Sequence, residues 1–156
     1  MSKIVIALGG NALGKTPQEQ HDLIEKTVKH VVDLVEDGNQ IVITHGNGPQ
    51  VGMIYDSMQK ENMPFAESGA MSQGYIGYQL QQTLKDELNN RGIEKSVVTV
   101  VTQVEVDPKD KAFKNPTKPI GEFLTKEEAT KRAKKDKAVY KEDSGRGYRK
   151  VVASPM

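Results

Sequence analysis

The chain has 156 residues, of which 36% are hydrophobic and 28% are charged, and its net charge is +1. It is long enough for one sizeable core, and it contains no cysteine, which excludes disulfide bonds and cysteine-ligated metals. No apolar run approaches the ~20 residues that a membrane-spanning helix needs, and we expect no secretory signal, because the amino terminus lacks a basic stretch followed by a long apolar run. We therefore expect a cytoplasmic protein without a membrane partner.

The first 45 residues predict a strand, a helix and a second strand. Residues 4–8 form a short apolar run that ends at a pair of glycines, as in a buried strand. Residues 16–19 combine a threonine cap, a proline and a glutamate, which is typical of a helix start, and Gly38 is the expected stop. Residues 41–43 predict a second buried strand, which leads into another glycine-rich loop.

The next segment predicts two further helices and a third strand. Pro49 suits the first turn of a helix that runs to about Lys60. A longer helix is expected over residues 68–90, and small residues in its first half would let another backbone approach closely. Residues 97–101, all but one of them valine, predict a third buried strand. This alternation predicts an α/β fold, a three-layer sandwich with a mostly parallel central sheet.

The pattern changes at residue 107, where the sequence becomes basic and rich in proline. Residues 125–128 repeat the helix-start pattern and predict a short polar helix, and residues 143–147 look like the turn of a β-hairpin. We therefore predict an α/β domain over residues 1–106. A protruding subdomain with a short helix and a β-hairpin is expected over residues 107–154.

Charge is distributed unevenly between these two segments. Residues 1–106 carry an excess of five negative charges, whereas residues 107–156 carry an excess of six positive charges. A basic segment attracts nucleic acid or small anions, but this one lacks a repeated pattern of basic and aromatic residues. We favour a small anion over nucleic acid, and a solvated lysine-rich helix is the simpler explanation for much of the excess.

Each of the first two predicted strands ends in a loop that suits anion binding. Such loops present successive backbone N–H groups and lead to the positive end of a helix dipole, and glycine permits close approach of phosphate oxygens. Because the carboxyl ends of parallel strands share one edge of a sheet, the two loops are expected to face a single anion site. The loop residues are Gly9, Gly10, Asn11, Gly46, Asn47 and Gly48. Ordinary tight turns remain the alternative, with the asparagines as caps.

A second pattern overlaps the first loop. Gly9–Thr16 matches the P-loop motif G-x-x-x-x-G-K-[ST], which would make Lys15 a phosphate ligand and Thr16 a magnesium ligand. In a P-loop, however, the helix is already under way at the lysine, whereas the start pattern here makes Thr16 the cap. Pro17 also lacks the backbone N–H that would help to hold a phosphate. We therefore do not favour a P-loop.

Several segments resemble carbamate kinases, a branch of the amino-acid kinase superfamily. Residues 7–12 and 45–52 are similar to the two phosphate-site loops of the superfamily. The narrower resemblance to carbamate kinase rests on residues 72–78, 113–121 and 141–152. The last two segments are the specific ones, because other members resemble this chain mainly in the glycine loops. The resemblance covers the amino-terminal half of a carbamate kinase.

This resemblance implies an activity, substrates and an assembly. Carbamate kinases transfer a phosphoryl group reversibly between ATP and carbamate, usually forming ATP from carbamoyl phosphate and ADP in arginine breakdown. The implied ligands are carbamate or carbamoyl phosphate and ATP or ADP with Mg²⁺, and the implied assembly is a homodimer. Family members are about twice this length. Residues 155–156 would therefore begin the crossover to a nucleotide-binding half that holds most nucleotide and metal ligands.

The resemblance also implies the site residues. The two glycine loops would hold the transferring phosphoryl group and the carbamate, and Lys118 matches a catalytic lysine that reaches over the site from the protruding subdomain. Gln50 is a further candidate for substrate contact. Arg146, in the hairpin turn, would add positive charge, although an exposed surface arginine is the simpler interpretation. No metal site is expected within the chain, because its histidines share no ligand spacing.

Two other functions stay open at this point. The chain is alternatively a non-catalytic fragment that binds small anions or dimerises through the helix over residues 68–90. A nucleotide-binding protein that uses Gly9–Thr16 as a P-loop is the less favoured alternative.

Overall fold

The computed structural model describes residues 1–9, 13–14 and 16–156. It divides into two compact units, each built from two stretches of chain. The first unit comprises Met1–Asn47 and Gly69–Val101, and the second comprises Gly48–Ser68 and Thr102–Met156. The division into an α/β domain over residues 1–106 and a protruding subdomain over residues 107–154 stays a prediction.

The described residues contain four α-helices and five β-strands, with short 3₁₀ turns at Gln59–Glu61 and Lys111–Phe113. In chain order the elements are β1 (Lys3–Leu8), α1 (Pro17–Glu36), β2 (Gln40–His45), α2 (Gly48–Ser57), α3 (Phe65–Asn90), β3 (Lys118–Leu124), α4 (Lys126–Asp136), β4 (Tyr140–Glu142) and β5 (Tyr148–Val152).

The first unit contains a two-stranded parallel sheet, with β1 paired to β2. Helix α1 connects the strands and begins where the sequence predicts. The hydroxyl of Thr16 accepts a hydrogen bond from the Glu19 backbone N–H at 3.2 Å, and the Glu19 carboxylate accepts one from the Thr16 N–H at 3.4 Å. The expected stop is also confirmed, because Gly38 follows the helix with a φ of +85°.

One face of this sheet is covered by apolar side chains of α1 and α3. The buried core residues are Leu8, Leu13, Ile24, Val28, Val31, Val32, Ile76, Leu80, Leu84 and Leu88. The opposite face is open among the described residues, and the paired side chains of Val5 and Val42 are 67% and 56% exposed. Parallel sheets are normally covered on both faces, so this open face is an unusual feature.

The prediction of a third buried strand over residues 97–101 is wrong. The segment belongs to no helix or strand, and the side chain of Val98 is 82% exposed. Among the described strands none pairs with it, and an extended segment becomes a strand only when a neighbour supplies its ladder hydrogen bonds. The segment is tied to α3 instead, where the Thr99 hydroxyl donates to the Gly77 carbonyl at 3.0 Å.

The second unit contains a three-stranded antiparallel sheet in the order β3-β5-β4. The predicted short helix and β-hairpin are both present. Thr125 caps α4 with the same reciprocal pattern seen at α1, through Glu128. The hairpin closes where the Asp143 N–H donates to the Gly147 carbonyl at 2.8 Å. Together with the parallel sheet, this unit confirms the α/β class.

Helix α2 packs directly on β3 within the second unit. A β-carbon built on Gly52 would lie only 2.2 Å from the backbone nitrogen and the Cα of Gly121. Gly121 has a φ of +71° and lies where the pairing of β3 with β5 is irregular. Two glycines therefore let helix backbone and strand backbone touch, which fixes α2 on the sheet.

The helix bounds otherwise differ little from the sequence-based expectations. Helix α2 ends at Ser57 instead of continuing to Lys60, and α3 begins at Phe65. Among the described residues, no helix combines the length and apolarity needed to cross a bilayer.

Candidate functional site

The two glycine loops of the first unit begin side by side. Strands β1 and β2 pair in register up to Leu8 and His45, and the Gly46 N–H donates to the Leu8 carbonyl at 2.9 Å. Gly9 is exposed directly after β1, and a β-carbon built on it would meet nothing within 4 Å. The chain thus leaves both strands at one edge of the sheet. Gly10, Asn11 and Lys15 lie outside the described residues.

Asn47 is anchored by the buried start of α3. Its side-chain amide nitrogen donates to the Ser72 hydroxyl at 2.8 Å, and this hydroxyl donates to the Gly69 carbonyl at 2.6 Å. Ser72 is fully buried, so the chain of hydrogen bonds is shielded from water. Asn47 therefore has a structural partner that the sequence did not reveal. This contact fixes the end of the second loop in the first unit.

The remaining predicted site residues belong to the second unit. Gly48 is the first residue of α2, and Gln50 is buried in its first turn. A β-carbon built on Gly48 would lie 3.8 Å from the Pro119 carbonyl oxygen and 3.9 Å from Nη2 of Arg149. The start of α2, where backbone N–H groups point out of the helix, therefore lies against β3 and β5.

Lys118 is the first residue of β3 and lies directly before Pro119. It is exposed, and its backbone pairs with Val152 of β5. The segment before it is anchored from β4, because Nζ of Lys141 donates to the Pro116 carbonyl at 2.8 Å. The structure therefore brings Lys118 and the start of α2 to neighbouring backbone positions in one unit.

The sequence singled out Arg146, but the buried arginine of the second unit is Arg149. The Arg146 side chain is 59% exposed and lies over the Phe123 ring at 4.8 Å. The Arg149 side chain is 11% exposed and lies over the same ring at 5.0 Å. The sequence contained one signal for the burial of Arg149, which is the alternation of side chains along β5. Successive residues of a strand point to opposite faces.

Arg149 is held by two polar groups of its own unit. Its Nε donates to the Gly121 carbonyl at 3.0 Å, and its Nη1 lies 3.3 Å from the Asp143 carboxylate. Burial tends to raise the pKa of Asp143, but hydrogen bonds from Ser144 and Arg149 outweigh burial and lower it. The carboxylate therefore stays ionised beside the guanidinium.

Asp56 on α2 provides a pH-dependent test of this packing. Partial desolvation raises the pKa of its carboxyl, and the charges of Lys150 and Arg132 only partly oppose that effect. A raised folded-state pKa means that stability is lost as pH rises through it and is regained on acidification. We expect Asp56→Asn to increase the free energy of unfolding at neutral pH and to remove the gain near pH ~4. Urea unfolding at both pH values, followed by circular dichroism, measures this.

Asp110 of the same unit provides a control in which the pH dependence of stability has the opposite sign. Backbone N–H groups of Ala112 and Met156 lower the pKa of Asp110, so its contribution is present above the ordinary pKa and is lost as pH falls. Asp110→Asn should therefore reduce the loss of stability in acid. An unchanged pH dependence in Asp56→Asn would contradict the assignment of a desolvated carboxyl.

The P-loop alternative is not supported by the described residues. Helix α1 begins at Pro17, and the Thr16 hydroxyl is engaged as its cap. Among the residues that the structure describes, no group of three or more histidine, aspartate or glutamate side chains is placed to hold a metal ion. We assign no chemical step to Mg²⁺.

Comparison with solved structures defines the class of protein. Carbamate kinase from Giardia lamblia bound to citric acid matches with a TM-score of 0.92 and 40% identity, over 98% of this chain and 53% of that chain. The same enzyme bound to AMP-PNP matches with a TM-score of 0.78, over 99% of this chain and 52% of that chain. The α/β fold is thus that of carbamate kinases.

Sequence comparison identifies the family. The Amino acid kinase family profile matches residues 2–138. Carbamate kinase 3 from Staphylococcus aureus strain USA300 is 58% identical over 163 aligned residues, which cover 100% of this chain and 53% of that protein. A carbamate kinase from Staphylococcus haemolyticus is 56% identical with the same coverage. The chain belongs to the amino acid kinase family. It spans about half the length of the curated relatives it matches.

Proposed function

We propose that this chain is the carbamate-binding and phosphoryl-binding part of a carbamate kinase. The reaction is reversible phosphoryl transfer, in which carbamoyl phosphate and ADP give carbamate and ATP. The observation that carries the proposal is 58% identity to a carbamate kinase over the entire chain. The relative bound to AMP-PNP supports a nucleotide as the second substrate.

The chemistry requires few groups from the protein. Both reactants are anions, so catalysis depends on neutralising their charge and holding them in line. Backbone N–H groups and lysines supply both functions. No general base is needed, because the attacking oxygen of carbamate is already anionic.

We assign the roles as follows. The loop residues that would hold the phosphoryl group and carbamate are Gly9, Gly10, Asn11, Gly46, Asn47 and Gly48. Gln50 would contact substrate from the first turn of α2, and Lys118 would supply the catalytic positive charge. The joint beginning of the two loops at the ends of β1 and β2 supports this assignment, since ligands of parallel sheets bind at that edge. Arg146 is a secondary candidate, and its exposure argues against a larger role.

The remaining partners follow from the same proposal. We propose that ATP or ADP binds with Mg²⁺ mainly through residues outside this sequence, in a cytoplasmic homodimer that serves arginine breakdown. Helix α3 suits a dimer contact, because β-carbons built on Gly69 and Gly74 would meet nothing within 4 Å among the described atoms. Another backbone could therefore approach this helix closely.

A non-catalytic role is the second candidate, and the exposed apolar residues favour it. Val5, Val42 and Val98 expose most of their surface within the first unit. Val5 and Val42 are paired on one face of the sheet, and exposed apolar side chains that lie together suit a surface that another protein covers. In this alternative the chain binds small anions and associates with another protein without turnover.

The proposal is tested by measuring ATP formation from carbamoyl phosphate and ADP. The purified chain is assayed alone and again with the carboxyl-terminal half of the Staphylococcus aureus relative added as a separate polypeptide. We expect ATP in the mixture, because the relatives are about twice as long. Binding of carbamoyl phosphate to the chain alone is measured in parallel by titration calorimetry.

The outcomes separate the two candidates. ATP formation in either assay supports the carbamate kinase proposal. Binding of carbamoyl phosphate without turnover in both assays supports the non-catalytic candidate. Neither binding nor turnover would contradict both.

A further inference from the structure

We propose that Arg149 is a positioning residue of the site, which fixes the start of α2 against the start of β3. Gly48 begins α2, and Lys118 begins β3. Both belong to the proposed carbamate kinase site, so this inference rests on the proposed function. Arg149 would set the spacing between the amide end of the helix and the strand that carries the lysine.

The guanidinium of Arg149 connects several parts of the second unit. Its Nε donates to the carbonyl of Gly121 on β3, and its Nη1 pairs with Asp143 at the end of β4. Its Cζ lies 5.0 Å from the centroid of the Phe123 ring, and 11% of the side chain is exposed. The planar fork of arginine can satisfy two such partners at once, whereas the single ammonium of lysine does not reproduce that geometry.

The third nitrogen of the group faces the start of α2. Nη2 lies 3.9 Å from the position of a β-carbon built on Gly48, and the Pro119 carbonyl lies 3.8 Å from the same position. Pro119 directly follows Lys118, whose backbone pairs with Val152 of β5. Strand β5 therefore carries both the partner of Lys118 and the arginine whose Nη2 faces Gly48.

A second contact lies one turn further along α2. There the backbone of Gly52 touches the backbone of Gly121, and it is the Gly121 carbonyl that accepts the hydrogen bond from Arg149. The arginine thus lies beside the first residue of α2 and is linked to Gly52 through the Gly121 carbonyl of β3. Loss of the guanidinium would remove the donor from the Gly121 carbonyl and the cation beside the partly exposed carboxylate of Asp143.

The test combines backbone order with substrate affinity in the 156-residue chain. The variants are Arg149→Lys, which keeps the charge but not the fork, and Asp143→Asn, which weakens one contact and keeps the bond to Gly121. Arg132→Lys is the matched control, because Arg132 pairs with Glu122 at 2.8 Å in the same unit, and its effect on Asp56 of α2 is one of charge, which lysine keeps. Order parameters of the backbone amides are measured by ¹⁵N NMR relaxation, and carbamoyl phosphate affinity by calorimetry.

We expect Arg149→Lys to lower the order parameters at Gly48, Lys118 and Gly121 from about 0.85 towards about 0.6. Affinity for carbamoyl phosphate should fall about 10- to 100-fold, because the binding groups lose their alignment. Asp143→Asn should change both quantities in the same direction but less. Arg132→Lys should change neither.

Other results would overturn the proposal. Wild-type order parameters in Arg149→Lys would show that the fork does not fix α2, whether or not affinity falls. If Arg149→Lys unfolds, the Asp143→Asn variant tests the proposal instead. Wild-type order parameters and wild-type affinity in Asp143→Asn would contradict a positioning role for Arg149. If the unaltered chain binds no carbamoyl phosphate and forms no ATP in the mixture, the proposed function fails. The order parameters then test separately whether Arg149 fixes the start of α2 against β3.

Discussion

Replacing Lys118 by alanine is expected to lower the rate of phosphoryl transfer by about 100- to 1000-fold, in the preparation where the unaltered chain forms ATP. The transferring group and both substrates are anionic, so a fixed ammonium acts mainly on the charge that spreads over the phosphoryl oxygens in the transition state. The loss should therefore fall on kcat more than on KM. Initial rates of ATP formation at several carbamoyl phosphate concentrations measure both quantities.

The structure supplies a control and a second variant for this experiment. Lys109 is an exposed lysine of the same unit, and Lys109→Ala should retain the rate of the unaltered chain. Lys118→Arg keeps the charge on a differently shaped group, so we expect it to recover only part of the rate. A Lys118→Ala variant that remains within about threefold of the unaltered rate would falsify the catalytic role, since removing a charge-stabilising group costs far more.

Gly52→Ala is expected to destabilise the second unit by about 3 kcal/mol. The new β-carbon would lie 2.2 Å from two backbone atoms of Gly121, which have no rotamer through which to move away. This overlap should exceed the gain of about 1 kcal/mol that alanine normally brings to a helix interior. Urea unfolding followed by amide signals of β3 measures the change, and these signals also report displacement of α2.

The same substitution elsewhere serves as its control. A β-carbon built on Gly74 in α3 would meet nothing within 4 Å, so Gly74→Ala should be neutral or stabilising by up to about 1 kcal/mol. Equal stability of the two variants would show that α2 and β3 can separate at no cost. The close backbone contact would then not fix the start of α2.

Part of the candidate site was predicted correctly in position from the sequence, and part was not. The loops after β1 and β2 were placed at one edge of the sheet by the rule for parallel strands, and Gly46 does lie beside Leu8. The anchoring of Asn47 by Ser72 joins residues 25 positions apart, and no local pattern announces such a pair. The binding roles of the loop residues and of Lys118 stay predictions.

Arg146 and Arg149 show the same limit of prediction from sequence. Arg146 and Arg149 are three residues apart in one basic segment, and the sequence favoured the one in the turn. Burial separates them, because Arg149 lies between β3 and the start of α2 while Arg146 remains exposed. Which of two similar side chains is buried depends on the packing of distant segments around them.

The sequence by itself determined the elements whose signals are local. The caps at Thr16 and Thr125 and the stop at Gly38 are confirmed, because capping hydrogen bonds and positive φ values involve only residues a few positions apart. The short apolar strands β1 and β2 and the β-hairpin were likewise predicted from patterns that are complete within a few residues.

Only the tertiary structure decided which segments find partners. The valine-rich residues 97–101 have a strand's composition but no described strand beside them, so they form none. The contact of Gly52 with Gly121 and the burial of Arg149 likewise join segments far apart in the chain. Backbone pairing and burial depend on which segments lie beside a residue in space. A local pattern specifies only the conformational preference and the side chain of the residue itself.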